Sequence, residues 1–169
     1  SSLFDARVKE EEEAFEDLLK MDGSENAYKL HQELGEWMTD NVTVVRENPR
    51  LLKTDEKLQE LLERWEDINI HDTSKWSNQG VMFARQLKNM IHLARVITIG
   101  AYKRDESRGA HYKPEFPERD DENFLKTTIA EFDVDNEAPV ISYEDVDVSL
   151  IPPRKRDYTT ANKANEGSN

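Results

Sequence analysis

QGVMFARQLKNMIHLARVITIGAYK, residues 79–103, decides the fold. Ala84, Leu87, Ile91, Ala94, Thr98 and Ala101 recur at alternating steps of three and four residues, the seam of a long helix that packs on other helices. Phe83, Met90, Leu93, Val96 and Ile97 add apolar surface around the rest of the cylinder. A helix apolar on more than one side is buried on more than one side, so this segment is predicted to be the central helix of a bundle, with part of its surface left for material outside this chain.

Three helices are predicted before it. Phe4, Val8, Phe15, Leu18 and Leu19 lie at helical spacing, with Glu10 to Glu13 and Glu16 between them, giving an amphipathic helix that ends near Asp22-Gly23. The glutamates read as a solvated face favoured by the helix dipole. A second helix starts after Ser24 as N-cap and aligns Ala27, Leu30, Leu34, Trp37, Met38 and Val45. The β-branched run Val42-Thr43-Val44-Val45 weakens its end, and packing must decide whether it reaches Arg46. Asn48-Pro49 reads as N-cap and first residue of a third helix carrying Leu51, Leu58, Leu61, Leu62, Trp65 and Ile68. Residues 69–78 form a polar loop that holds Trp76.

After the long helix comes RDESRGAHYKPEFPERDD, residues 104–121. Both signs of charge crowd together here, and bidentate arginine–carboxylate pairs can fix such a loop. Gly109 permits positive φ or a close backbone approach. From the residues alone the segment reads equally as a helix exit closed by ion pairs or as a docking site formed by Arg104, Glu106, Ser107, Arg108, Gly109 and His111.

The period then changes to two. Asn123 to Phe132 and Pro139 to Glu144 alternate and are rich in β-branched and aromatic residues, and the turn chemistry of Asp133 to Ala138 joins them as an antiparallel hairpin. A lone hairpin needs a surface to lie on, which the helices supply. The resulting fold class is mainly α: a three- to four-helix bundle over residues 1–105, an extended loop with a C-terminal antiparallel β-hairpin over 106–150, and a polar, mobile tail over 151–169.

With 36% hydrophobic and 35% charged positions in 169 residues, the chain holds one modest core under a heavily solvated surface. A formal net charge of -13 repels nucleic acid and anionic membrane surfaces. The absence of cysteine excludes disulfides, thiolate metal sites and thiol catalysis in this chain, which fits a cytoplasmic protein. No apolar run approaches the ~20 residues that span a bilayer, so membrane association must come through a partner.

A search for catalytic chemistry yields none. His31, His71, His92 and His111 are scattered without metal-ligand spacing, and Ser107 and His111 lack an oriented acid or an oxyanion turn. The dispersed glycines form no Gly-x-Gly-x-x-Gly or Walker loop. No catalytic, cofactor-binding or metal-binding residue is therefore assigned.

The run Glu106 to His111, the following Pro117-Glu118-Arg119-Asp120-Asp121 and the strand start Asn123 to Thr128 resemble the C-terminal helical domain of the succinate dehydrogenase and fumarate reductase flavoprotein subunit. The likeness runs from Ser1 to Asp147, and Pro152 to Tyr158 is similar to the Gram-positive form. The resemblance implies a parent subunit with covalently bound FAD and a capping domain over the dicarboxylate. Succinate is oxidised there to fumarate by hydride transfer to the flavin. It further implies an iron–sulfur subunit and a membrane cytochrome b anchor as partners, and a place on the cytoplasmic side of the cell membrane, peripheral through those subunits. The flavin-linking and substrate-clamping residues belong to domains absent here, so this chain is expected to be an inactive scaffold. L-Aspartate oxidase and adenylylsulfate reductase share an ESRG-type run but are disfavoured by the ERDD continuation and the hairpin. The alternative from another class is a free-standing helical interaction module.

Overall fold

The computed structural model describes residues 2–154. Five helices, α1 (Ser2–Leu19), α2 (Ala27–Asn41), α3 (Asn48–Trp65), α4 (Gln79–Lys103) and α5 (Asp121–Phe124), precede a two-stranded antiparallel sheet of β1 (Lys126–Asp133) and β2 (Ala138–Asp145). The architecture expected from the sequence, helical bundle then hairpin, is the one observed. The expected mobile tail lies outside the described residues from 155 onward.

α4 is the centre of the fold and packs against α1, α2, α3 and both strands. Its predicted bounds are met, and all six seam residues are buried. Leu30, Leu34, Leu58, Leu61, Trp65 and Ile68 close on Leu87 and Ile91 to form the core. Each buried leucine or isoleucine contributes about 1.5–3 kcal/mol relative to leaving it exposed. Trp65 also hydrogen-bonds from Nε1 to Ala84 O at 2.8 Å, so its polar tip is satisfied inside the core. The seam is covered, but beside it Leu93 and Ile97, one turn apart, are 62% and 51% exposed.

Several predicted boundaries move because tertiary contacts compete with local signals. α1 stops at Leu19, short of Asp22-Gly23, because residues 21–25 pair with residues 67–70 instead. Gly23 N donates to Ile68 O, Asn69 N to Glu25 O and Ile70 N to Met21 O. A Cβ at Gly23 would stand 1.9 Å from Asp67 O, so only glycine fits this crossing. Ser24 is not the N-cap of α2: its Oγ donates to Asp67 Oδ2 at 2.6 Å, and Asn26 caps the helix by accepting from Tyr28 N and Lys29 N. α2 ends at Asn41, so Val45 leaves the predicted stripe and bridges to Tyr112. α3 begins at Asn48, with Glu47 in the cap position, because Asn48 turns its side chain to Asp105.

The first strand starts at Lys126 rather than Asn123. Asp120 accepts from the backbone N–H groups of Glu122 and Asn123 and so caps the short helix α5 over the predicted strand start. The hairpin pairs Lys126 with Asp145 through Asp133 with Ala138, and Asp133 Oδ1 accepts from Asp135 N and Asn136 N to shape the turn. The predicted surface for the hairpin is α4: Arg95 Nη1 donates to Glu137 O, Tyr143 OH donates to Lys103 O, and Phe132 meets His92 edge to face.

Candidate functional site

Where α4 ends, the chain turns back on itself around one carboxylate. Glu106 is 0% exposed, and its two oxygens accept four donors. Arg104 Nε reaches Oε1 at 2.9 Å, Arg108 Nε reaches Oε1 at 2.8 Å, Arg108 Nη2 reaches Oε2 at 3.0 Å, and Asp120 N reaches Oε2 at 2.9 Å. A desolvated charge is tolerated only when it is paired and hydrogen-bonded in this way. The sequence-predicted arginine–carboxylate pairing of Arg108 with Glu106 or Asp121 is met by both, with Arg108 Nη2 at 2.7 Å from Asp121 Oδ1. The bond to Glu106 and then that to Asp121 raise the Arg108 guanidinium further above its ordinary value. Arg108 and Arg119 hold the Asp121 carboxyl below the usual range.

Arg104 carries the network into the hairpin. It donates to Phe124 O, to Lys126 O and to Thr128 Oγ1, and its guanidinium lies over the Phe124 ring. Ser107 faces the other way and serves the backbone, accepting from Lys113 N at 2.9 Å and donating to Phe116 O at 2.8 Å. Gly109 has φ +62°, and nothing stands within 4 Å of where its Cβ would be. The left-handed turn between Arg108 and His111 therefore explains that glycine, and crowding does not. His111 binds Arg46 through Nδ1 at 2.8 Å and the Arg104 carbonyl through Nε2 at 2.9 Å.

Thus Arg104, Glu106 and Arg108 converge on one centre, while Ser107, Gly109 and His111 shape the turn around it. Ser107 and His111 are each committed to other partners, so they form no nucleophile–base pair. Among the described residues, no group of histidine, aspartate and glutamate is arranged to hold a metal ion.

Three contributors escaped sequence reasoning. Lys113 is 0% exposed, and its Nζ donates to Tyr102 O and Asp105 Oδ1, both at 2.8 Å. Burial works to raise the Asp105 carboxyl, but hydrogen bonds from Lys113 and Asn48 hold it below the usual range. Arg46, from the connection between α2 and α3, and Asn48, the first residue of α3, complete the site. The signal available for Arg46 was its place after a β-branched run that a helix tolerates poorly.

The family described as "Fumarate reductase flavoprotein C-term" matches residues 31–158. The succinate dehydrogenase flavoprotein subunit of Bacillus subtilis (strain 168) is 68% identical over 159 residues, which is 94% of this chain and 27% of that one. The fumarate reductase flavoprotein subunit of Escherichia coli (strain K12) is 37% identical over 149 residues, 87% of this chain and 25% of the relative. A solved E. coli quinol fumarate reductase FrdA chain superposes with a TM-score of 0.86 at 34% identity, covering 92% of this chain and 27% of that chain. This chain spans about a quarter of the length of the relatives it matches. With the family match extending from within α2 through α3, α4, the Glu106 site, α5 and the hairpin, the chain belongs to the C-terminal family of succinate dehydrogenase and fumarate reductase flavoprotein subunits.

Proposed function

We propose that this chain is the helical docking domain of a succinate:quinone oxidoreductase flavoprotein subunit, which oxidises succinate to fumarate through FAD held elsewhere in the same polypeptide. The observation that carries this reading is the buried Glu106 centre. It locks α4, the loop and the hairpin into one rigid unit without a free nucleophile or base. Such a unit positions other surfaces. The 68% identity to a succinate dehydrogenase subunit, against 37% to a fumarate reductase subunit, supports the dehydrogenase. Arg104, Glu106, Ser107, Arg108, Gly109 and His111 then form the side of the domain that meets the flavin-binding part, and the exposed Leu93–Ile97 face of α4 offers it further apolar area.

The described residues do not fit FAD themselves. Their sheet is a two-stranded antiparallel hairpin rather than a parallel βαβ unit, and the N-termini of α2 and α4 are filled by Asn26 and Asn78 side chains. In this reading, the iron–sulfur subunit and a cytochrome b anchor are partners of the assembled subunit, at the cytoplasmic face of the membrane. No helix among the described residues is long and apolar enough to cross it.

The test is Arg108→Ala in the intact subunit. Lower flavin retention, a lower melting temperature or poorer assembly with the iron–sulfur subunit is expected, with turnover per bound flavin unchanged. An intact subunit that keeps its flavin, melting temperature and assembly yet loses turnover would make Arg108 catalytic and overturn the docking role.

A further inference from the structure

His111 is held by partners that leave it only one protonation state. Arg46 Nη1, which has hydrogens and no lone pair to offer, faces Nδ1 at 2.8 Å, so Nδ1 must accept. The Arg104 carbonyl, which can only accept, faces Nε2 at 2.9 Å, so Nε2 must carry the proton. An imidazolium would direct a second N–H at a guanidinium.

The two partners come from different parts of the chain. Arg46 closes the link between α2 and α3, where its Nε also donates to Val42 O and Thr43 O. Arg104 caps the C-terminus of α4. Beside the imidazole, Arg46 N donates to Tyr112 O at 2.9 Å and Tyr112 N to Val44 O at 3.1 Å, the parallel bridge that joins the same two segments. The ring is half-buried at this joint.

We propose that His111 is a proton-sensitive latch: neutral, it ties the Val42–Arg46 link to the end of α4, and protonation releases the Arg108–His111 turn from that link.

The charges around it favour this sense of switching. Arg46 from the link, Arg104 from α4 and Lys113 from the following segment all face the ring as cations. The carboxylate that acts on it is Asp105, which is already hydrogen-bonded to Lys113 and Asn48. Burial and then these cations depress the imidazole below its ordinary value of about 6.5, against the opposing bond to the Arg104 carbonyl. A depressed folded value means that the closed latch contributes its full stability above about 6.5 and loses it as pH falls through the folded value. The exposed side chains of Val44, Val45 and Tyr112, which flank the bridge, lose their fixed position when it opens.

The test follows the 169-residue chain by NMR from pH 7.5 to 5. The His111 ring is expected to titrate below about 6.5. The opening constant of the Tyr112 and Arg46 amides, corrected for intrinsic exchange, should rise as pH falls below that value, by at most about tenfold per pH unit for a single proton. His111→Gln offers one acceptor and one donor, as the neutral ring does, and should keep the joint closed while removing the pH dependence. A ring that titrates at or above the ordinary value, amide opening that ignores pH, a pH dependence that survives in His111→Gln, or a loss of protection spread equally over α3 and α4 would each overturn the latch. If His111→Gln fails to fold, the unsubstituted chain alone decides through its titration and exchange.

Discussion

Replacing Glu106 by Gln exchanges one carboxylate oxygen for an NH2 group and should have one of the largest effects of any single substitution in this domain. The carboxylate is 0% exposed and accepts from Arg104 Nε, Arg108 Nε, Arg108 Nη2 and Asp120 N, all within 2.8–3.0 Å. In either orientation the amide NH2 confronts two of these donors, and the two guanidiniums lose their shared counter-charge. Breaking a buried ion pair from one side costs about 3–5 kcal/mol. Each kcal/mol moves the melting temperature of a domain of this size by about 2–4 °C, so a fall of roughly 6–20 °C is expected. Circular dichroism melts of the 169-residue chain at neutral pH would measure it, with Glu10→Gln on the exposed face of α1 as the control. Because Arg104 also holds Lys126 O and Thr128 Oγ1, amide protection at the start of β1 should fall along with the melting temperature. A Glu106→Gln melt within about 2 °C of that control would refute the account of the centre as a desolvated, fully paired charge.

Four further substitutions have expected outcomes. Gly23→Ala puts a Cβ 1.9 Å from Asp67 O and should destabilise by about 1–3 kcal/mol. Gly35→Ala, in mid-helix with nothing within 4 Å, should stabilise by about 0.4–1 kcal/mol; urea titrations giving both substitutions the same sign would contradict this. Arg64 bonds to Glu33 and Glu25 and holds the Glu33 carboxyl below its ordinary value. That depressed value contributes stability present above about pH 4.3 and lost as pH falls, so Arg64→Met should flatten the acid limb of the stability profile there. Leu93→Ser should leave the unfolding free energy of this chain within about 0.5 kcal/mol of unchanged, because the side chain is 62% exposed, while lowering self-association in sedimentation.

Periodicity alone determined the long helix, its buried seam, most of the apolar stripes of α2 and α3, and the presence of the hairpin, because each follows from a repeat that the chain carries within a short window. The pairing of Arg108 with Glu106 was legible for the same reason: the two lie two residues apart. Boundaries and partners at long range were decided by tertiary structure. Ser24 has the chemistry of an N-cap, yet Asp67, 43 residues on, takes its hydroxyl and leaves the cap to Asn26. Asn123 to Leu125 carry a strand pattern, yet the Asp120 carboxylate winds Asp121–Phe124 into a helical turn first. The partners of Lys113 and Arg46 are not written in the local sequence, because a lysine sealed beneath Tyr102 and Phe116 and an arginine that meets a histidine 65 residues away depend on contacts made only in the folded chain. Local repeats select elements because their energies depend on near neighbours, whereas the burial that fixes a charged side chain's partners exists only after α4 has collected the other elements around it.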